Sequence, residues 1–366
     1  MRLVIATPLY PPEPGGPSTY AKVLEEGLPS RDIEVAVIKF SDVRHKPKFV
    51  RHVMYFWRVF QAAKDVDAVL ALDPVSVGLP ALCAALLRRK KFVVKIVGDY
   101  AWEQGRQRFN IWLPLDEFVR TPDVPLPVLG LRLVQKFVAS RATAIIVPSE
   151  YLKRIVARWG IPEDRITVIV NAKPVDVPGT PPEALAAIPH PRIVSSGRLV
   201  PWKGMHGLIA AMIHIRAKVP GAQLVIIGDG PDREALERYA TLRLKEGFTF
   251  LGALPHAEAL AVMKEADVFV LNSSYEGLSH ILLEALELGK AIVTTKAGGN
   301  PEVIENGKNG LVISVGDPEA LADACISILS DPNGKAQLEA HARESAHRYE
   351  PALMLDRTAE FLSSVV

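Results

Sequence analysis

Twelve short runs rich in β-branched and apolar residues alternate with helix-length amphipathic segments along this chain, and that alternation constrains the fold more than any single motif. A strand, a loop and a helix repeated in this order cover both faces of a parallel sheet, so the pattern predicts doubly wound α/β layers. In the first half, strands are expected at 2–7, 34–40, 68–72, 92–97, 144–147 and 166–169. The second half restarts the pattern at 192–195, 223–228, 248–251, 267–271, 291–295 and 311–314. Between the two sets, Lys173 to Pro182 carries four prolines, which suit a linker better than a packed element. Two Rossmann-like domains follow, 1–178 and 179–348, with 349–366 as a closing helix that starts after Pro351.

At 366 residues the chain is too long for one ordinary core and suits two. An apolar content of 49% with 23% charged residues is that of a folded globular protein. Cys83 and Cys325 are the only cysteines, which excludes a disulfide framework and a cysteine metal site and makes a reducing cytoplasm the natural compartment. The nine histidines show no ligand spacing, so no metal is expected. No run approaches the ~18 apolar residues of a spanning helix, and the apolar start at 2–7 reads as a buried strand too short for a signal-peptide core. The net charge of +2 hides an asymmetry: residues 1–180 hold 26 Lys or Arg against 18 Asp or Glu, and residues 181–366 hold 17 against 23. The first half therefore favours an anionic partner or surface. No nucleic-acid partner is expected.

The candidate functional residues fall on loops that follow expected strands, where doubly wound sheets bind ligands. Gly15 and Gly16 precede a helix and can let backbone approach a phosphate or sugar, or simply form a turn and cap. They do not form the G-x-G-x-x-G dinucleotide fingerprint, which disfavours a nicotinamide-dependent dehydrogenase. Gly197-Arg198 and Lys203-Gly204 place an Arg and a Lys five residues apart on one loop, a pairing suited to clamping a diphosphate. Gly228 and Gly230 form another tight loop. Asp99, directly after an expected buried strand, is open to three readings: a base, a ligand for a sugar hydroxyl, or a helix cap.

Glu276 and Glu284 stand eight residues apart. On one helix that spacing would put both carboxylates on one face, about 12 Å apart along the axis, as if for the two ends of a long polar ligand. Between them, Gly277 allows close backbone approach, and Ser279 is a candidate N-cap for a helix whose free amides favour an anion. The basic, aromatic stretch from Arg44 to Phe60, with the run Arg88 to Lys91, has two readings: a helix packed on its sheet with snorkelling cations, or a segment lying on an anionic membrane.

In combination, Gly197-Arg198-Leu-x3-Lys203-Gly204, Gly228-x-Gly230-Pro, Phe250-Leu-Gly252 and Glu276-Gly-Leu-x5-Glu284-Ala closely resemble the retaining GT-B-fold glycosyltransferases of family 4, the group 1 type. Gly15-Gly16, Val147-Pro-Ser149-Glu, Val170-Asn171, Gly298-Gly-x-Pro301-Glu302 and Asn309-Gly310 extend the resemblance over nearly the whole chain. It implies two domains facing across a cleft, a nucleotide-sugar donor held mainly by the second and a glycan or lipid-linked acceptor held mainly by the first. It implies that Glu284 binds the ribose hydroxyls, that Glu276 with the backbone of Gly277, Leu278 and Ser279 holds hexose and phosphate, and that Arg198 and Lys203 neutralise the departing diphosphate. Gly15, Gly16, Gly197, Gly228 and Gly230 would line the donor site. The implied chemistry is same-face attack with no metal or other cofactor, in the cytoplasm, with peripheral contact at the inner membrane face as a corollary of the basic first half. The sequence departs from the family at Gly98-Asp99, where many relatives have a histidine, and at His280. A nucleotide-sugar epimerase, a phosphorylase or a non-catalytic nucleotide-sugar-binding protein on the same fold are the alternatives. Epimerases and phosphorylases need additional acid/base residues or a cofactor lysine that the sequence does not show, and a binding protein need not keep the clamp.

Overall fold

The computed structural model describes residues 1–13, 15–173 and 177–366. The chain divides into two compact units, one formed by Met1–Ala172 together with Pro351–Val366 and the other by Lys173–Glu350. Each unit contains one six-stranded parallel sheet.

In the first unit the strands are β1 (Arg2–Thr7), β2 (Glu34–Lys39), β3 (Ala68–Ala71), β4 (Lys91–Lys95), β5 (Ala144–Val147) and β6 (Ile166–Val168), in the order β2-β1-β3-β4-β5-β6. In the second they are β7 (Arg192–Ser196), β8 (Gln223–Ile227), β9 (Phe248–Gly252), β10 (Val268–Leu271), β11 (Ile292–Thr295) and β12 (Leu311–Ile313), in the order β12-β11-β10-β7-β8-β9. All twelve expected strands are present, several one or two residues shorter or shifted at an end. The central strands β3, β5, β10 and β11 are buried along their whole length, because helices cover both faces of a parallel sheet. Among the described residues no helix is long and apolar enough to cross a membrane.

The last helix, Pro351–Val365, belongs to the first unit's core. Met354, Leu355 and Leu362 pack with Leu24 and Leu28 of the helix Gly16–Gly27 and the turn after it. Gly27 makes room for this contact, since a Cβ there would stand 2.2 Å from the Leu355 side chain. Arg31 reaches Asp356 at 2.6 Å and so fixes the helix from its polar side.

The units divide between Ala172 and Lys173 and between Glu350 and Pro351, not at 178/179 and 348/349 as the prolines suggested. Lys173 is tied to the second unit: its N–H donates to the Tyr349 carbonyl at 2.8 Å, and its ammonium pairs with Glu287 and Glu350 at 2.7 and 2.8 Å. Pro174 to Asp176, the middle of the expected linker, lie outside the described residues. Gly179 is already bound to the second unit through its N–H to the Ala257 carbonyl at 2.8 Å.

Candidate functional site

In the second sheet the chain runs outward in one direction through β7, β8 and β9, then in the other through β10, β11 and β12. The order reverses between the adjacent strands β7 and β10, so the loops leaving their carboxyl ends diverge and open a crevice, the usual ligand position in such sheets. Arg198 and Lys203 follow β7; Glu276 follows β10. The sequence candidates therefore flank the switch point of the second sheet.

Lys203 and Glu276 form an ion pair at 2.6 Å, and both side chains are largely buried, 16% and 12% exposed. The same Glu276 oxygen accepts from the Ser273 hydroxyl at 2.6 Å. A charge pair removed from water keeps its geometry only with such supporting bonds, so Ser273 fixes the carboxylate and the carboxylate fixes the ammonium. Gly197 lies beside the lysine at φ +150°, a backbone conformation that L side chains rarely adopt. Arg198 is exposed and has no ion pair or side-chain hydrogen bond among the described residues. One cation of the loop is thus held and one is free to meet a ligand.

Neighbouring loops are joined backbone to backbone. The Ser274 N–H donates to the Trp202 carbonyl at 2.7 Å, and the Asn272 side-chain amide adds a bond to the Gly204 carbonyl at 2.8 Å. The Leu199 N–H donates to the Asp229 carbonyl at 2.9 Å, and the Gly197 N–H to the Ile227 carbonyl at 3.0 Å. Gly228 and Gly230 serve this approach: a Cβ on either would come within 2.0 Å of the Gly197 carbonyl oxygen or 2.2 Å of that of Leu199. On the other side, the Gly299 N–H donates to the Glu276 carbonyl at 3.0 Å. Loops after β11, β10, β7 and β8 thereby hold one another, and the polar groups they carry are set before any ligand arrives.

The pair of glutamates is not two points on one helical face. The helix spans His280–Glu287, so Glu276 lies four residues before it, in a loop whose course is set by Gly298 and Gly299. Gly277, Leu278 and Ser279 are the buried connection between that loop and the helix. Ser279 occupies the N-cap position but makes no side-chain capping bond; its carbonyl accepts from Leu282 at 3.2 Å. Glu284 is on the helix, 14% exposed, and lies 3.0 Å from Nε2 of His256. His256 shows no metal-ligand spacing and so does not stand out in the sequence. Its position, at the start of the helix His256–Lys264 after β9, was the available signal.

Gly15, Gly16 and Asp99 belong to the first unit and are not part of this loop cluster. Gly16 opens the helix Gly16–Gly27, and Gly15 caps it at φ +136°. Asp99 is 1% exposed, and its carboxylate accepts from the Trp102 N–H at 2.9 Å at the start of the helix Tyr100–Arg108. Of its three readings, the helix cap is the one its geometry performs. Burial pushes its carboxyl above the ordinary range, against the bond from the Trp102 N–H.

The first unit has its own pocket of about 420 Å³ at the carboxyl ends of β1 to β4, lined among others by Arg44, Arg51, Asp73, Ser76 and Tyr100. Here too the strand order reverses, between β1 and β3. Asp73 accepts N–H bonds from Val75 at 2.7 Å and from Ser76, while burial raises its carboxyl above the usual range. Burial and the Asp73 charge together raise the Tyr100 hydroxyl. Asp73, absent from the sequence candidates, follows β3 as directly as Asp99 follows the region of β4.

Residues 4–172 match the glycosyl transferase 4-like domain, and residues 185–345 match the glycosyl transferases group 1 family. The chain is 32% identical over 221 residues to the GDP-mannose-dependent alpha-(1-6)-phosphatidylinositol monomannoside mannosyltransferase of Mycolicibacterium smegmatis, covering 58% of this chain and 56% of that protein. It is 33% identical over 156 residues to the lipopolysaccharide core biosynthesis glycosyltransferase LpsE of Rhizobium meliloti, covering 42% and 44%. The chain thus spans about half the length of these curated relatives. The crystal structure of Anabaena HepE in complex with UDP-glucose has the same fold, with a TM-score of 0.77 at 20% identity over all of both chains. With one family matched in each unit and the fold shared end to end, the chain belongs to the GT-B glycosyl transferases of group 1.

Proposed function

We propose that this protein transfers a hexosyl unit from a nucleoside-diphosphate sugar to a hydroxyl of a glycan, glycolipid or other acceptor, with retention at the anomeric carbon. The observation that carries the reading is the Lys203–Glu276 pair at 2.6 Å beside the unpaired Arg198, at the switch point of the second sheet. The names of the relatives support it, since one uses GDP-mannose and a structural neighbour was solved with UDP-glucose.

In this reading the second unit holds the donor. Glu284, oriented by His256, accepts hydrogen bonds from the ribose hydroxyls. Glu276 and the backbone of Gly277 to Ser279 hold the hexose and the adjoining phosphate, with Gly197, Gly228 and Gly230 shaping the wall. As the bond from the anomeric carbon to the diphosphate oxygen breaks, its electron pair passes to the diphosphate, where Arg198 and Lys203 meet the growing charge. Preorganised donors of this kind stabilise a transition state more than a ground state. The acceptor hydroxyl attacks from the face the diphosphate leaves, and its proton goes to a departing phosphate oxygen. The pocket of the first unit, near Gly15 and Gly16, would take the acceptor, with Asp99 supporting it as a helix cap. The two cations do the work a metal would do at the diphosphate, so turnover needs no metal. Cys83 and Cys325, both unpaired, fit a cytoplasmic location, and the basic first unit fits work at the inner membrane face.

The test is incubation with UDP-, GDP- and ADP-hexoses and a panel of glycan and glycolipid acceptors, with proton NMR of the product. Transfer with the donor's anomeric configuration, undiminished by EDTA, is expected. Inverted product would remove same-face attack, loss of activity in EDTA would remove the metal-free clamp, and an epimerised sugar nucleotide would favour the epimerase reading.

A further inference from the structure

One face of the first unit's sheet is covered by the helices Lys48–Ala62, Gly78–Arg88 and Leu126–Arg141, the middle one packed against both others. These 42 residues contain no Asp or Glu, where the chain's overall share of 41 in 366 would place about five. They hold seven Lys or Arg, and Arg89, Lys90 and Lys91 follow directly. The helices Gly16–Gly27 and Pro351–Val365 of the same unit, which pack on each other, carry two carboxylates each.

The same layer exposes large apolar side chains. Phe49, Val53 and Trp57 recur every four residues on the outer side of their helix, with Phe49 81% and Trp57 53% exposed, and Val50 and Met54 lie beside them. Tyr55 and Val59 already fill the inner side, so the outer stripe is surplus to the core. Leu86 and Leu87, the latter 67% exposed, continue it on the middle helix, and Leu126, Leu133 and Phe137 on the third. Arg88 stacks on Phe60 at 3.7 Å and donates to its carbonyl at 3.0 Å, which joins the basic run to the aromatic helix. Arg58 pairs with Asp42 at 2.7 Å and Arg132 donates to the Thr121 and Phe118 carbonyls at 2.7 and 2.8 Å, whereas Lys48, Lys136 and the run Arg89 to Lys91 form no ion pair among the described residues.

We infer that this three-helix layer is a docking face for an anionic lipid bilayer, with Phe49, Trp57 and Leu87 entering the headgroup region and the surrounding Lys and Arg meeting lipid phosphates. Aromatic and leucine side chains interleaved with cations are what such an interface recognises. A second copy of the chain is a poor occupant, because the face would set cations against cations. The inference rests on the peripheral location proposed above and not on the sugar chemistry.

Cys83 supplies the probe. It is exposed on the middle helix, three and four residues before Leu86 and Leu87, while Cys325 is buried. A polarity-sensitive fluorophore on Cys83 of the otherwise unaltered protein should shift to the blue with phosphatidylglycerol vesicles, not with phosphatidylcholine vesicles, and the shift should fade as salt rises. In vesicle sedimentation, Phe49→Ser with Trp57→Ser should lower partitioning about tenfold or more, while Leu242→Ser, an exposed leucine of the second unit, should leave it unchanged. Nucleotide-induced thermal shifts should be the same in all three proteins, so a failure here is distinct from a failure of the glycosyltransferase reading. An unshifted fluorophore at low salt, equal partitioning of the double variant, or partitioning indifferent to lipid charge would overturn the inference.

Discussion

Arg198→Ala lowers kcat by about 10²- to 10³-fold, the range seen when one preorganised donor is removed from a developing oxyanion. Arg198 is exposed, and among the described residues its side chain holds nothing in place, so the folded structure loses little with it. Its effect should therefore fall on turnover, with donor affinity and thermal stability close to the parent's. Lys203→Ala differs in kind. It strips Glu276 of its partner at 2.6 Å and leaves a mostly buried carboxylate held by Ser273 alone, so affinity, stability and rate should fall together. Steady-state kinetics on the two variants separates these roles: equal turnover in Arg198→Ala and the parent would take the arginine out of the mechanism.

Gly298→Ala should cost about 3 kcal/mol or more of the second unit's stability and abolish donor binding. The residue sits at φ +55°, where an L side chain is strained, and its added Cβ would stand 1.8 Å from the Glu276 carbonyl oxygen. Neither backbone can yield without moving Glu276 off Lys203. Gly307→Ala is the control: φ is +77°, but nothing stands within 4 Å, so only the backbone strain of about 1–2 kcal/mol is expected, with donor binding intact. Thermal unfolding with and without nucleotide reads both. Similar losses in the two variants would show that strain alone, and not the contact with Glu276, makes Gly298 matter.

The strands were legible because parallel strands buried on both faces appear as unbroken apolar runs. Their ends were less so: Phe40 and Asp267 fall one residue outside β2 and β10, although their N–H groups still donate to the Thr7 and Arg192 carbonyls of the neighbouring strands at 3.1 and 2.9 Å. Loop candidates were legible for a related reason, since in this architecture the residues after a strand lie where ligands bind, and Arg198, Lys203 and Glu276 all do. What joins them was not legible. Lys203 and Glu276 are 73 residues apart, and only the neighbouring positions of β7 and β10 bring them together. The helical period was carried too far back, past the start at His280, which put Glu276 on a face it does not share with Glu284. The tight loop read at Gly228 and Gly230 has a physical reason that only the structure gives, since backbone meets backbone there. The domain boundary was misplaced because prolines mark an irregular chain, whereas the division is set by the bonds of Lys173.

The central claim is that the loops around Arg198, Lys203, Glu276 and Glu284 bind a nucleoside diphosphate, and it is tested most directly by thermal unfolding with UDP, GDP, ADP and their hexose conjugates. At a hundred times its dissociation constant, a ligand confined to the folded state adds about 2.7 kcal/mol, a shift of about 5–10 °C for a domain of this size. One base should raise the transition at millimolar concentration, with a smaller rise for Glu284→Ala. If no nucleotide or sugar nucleotide moves the transition of the parent protein, the donor site is not there.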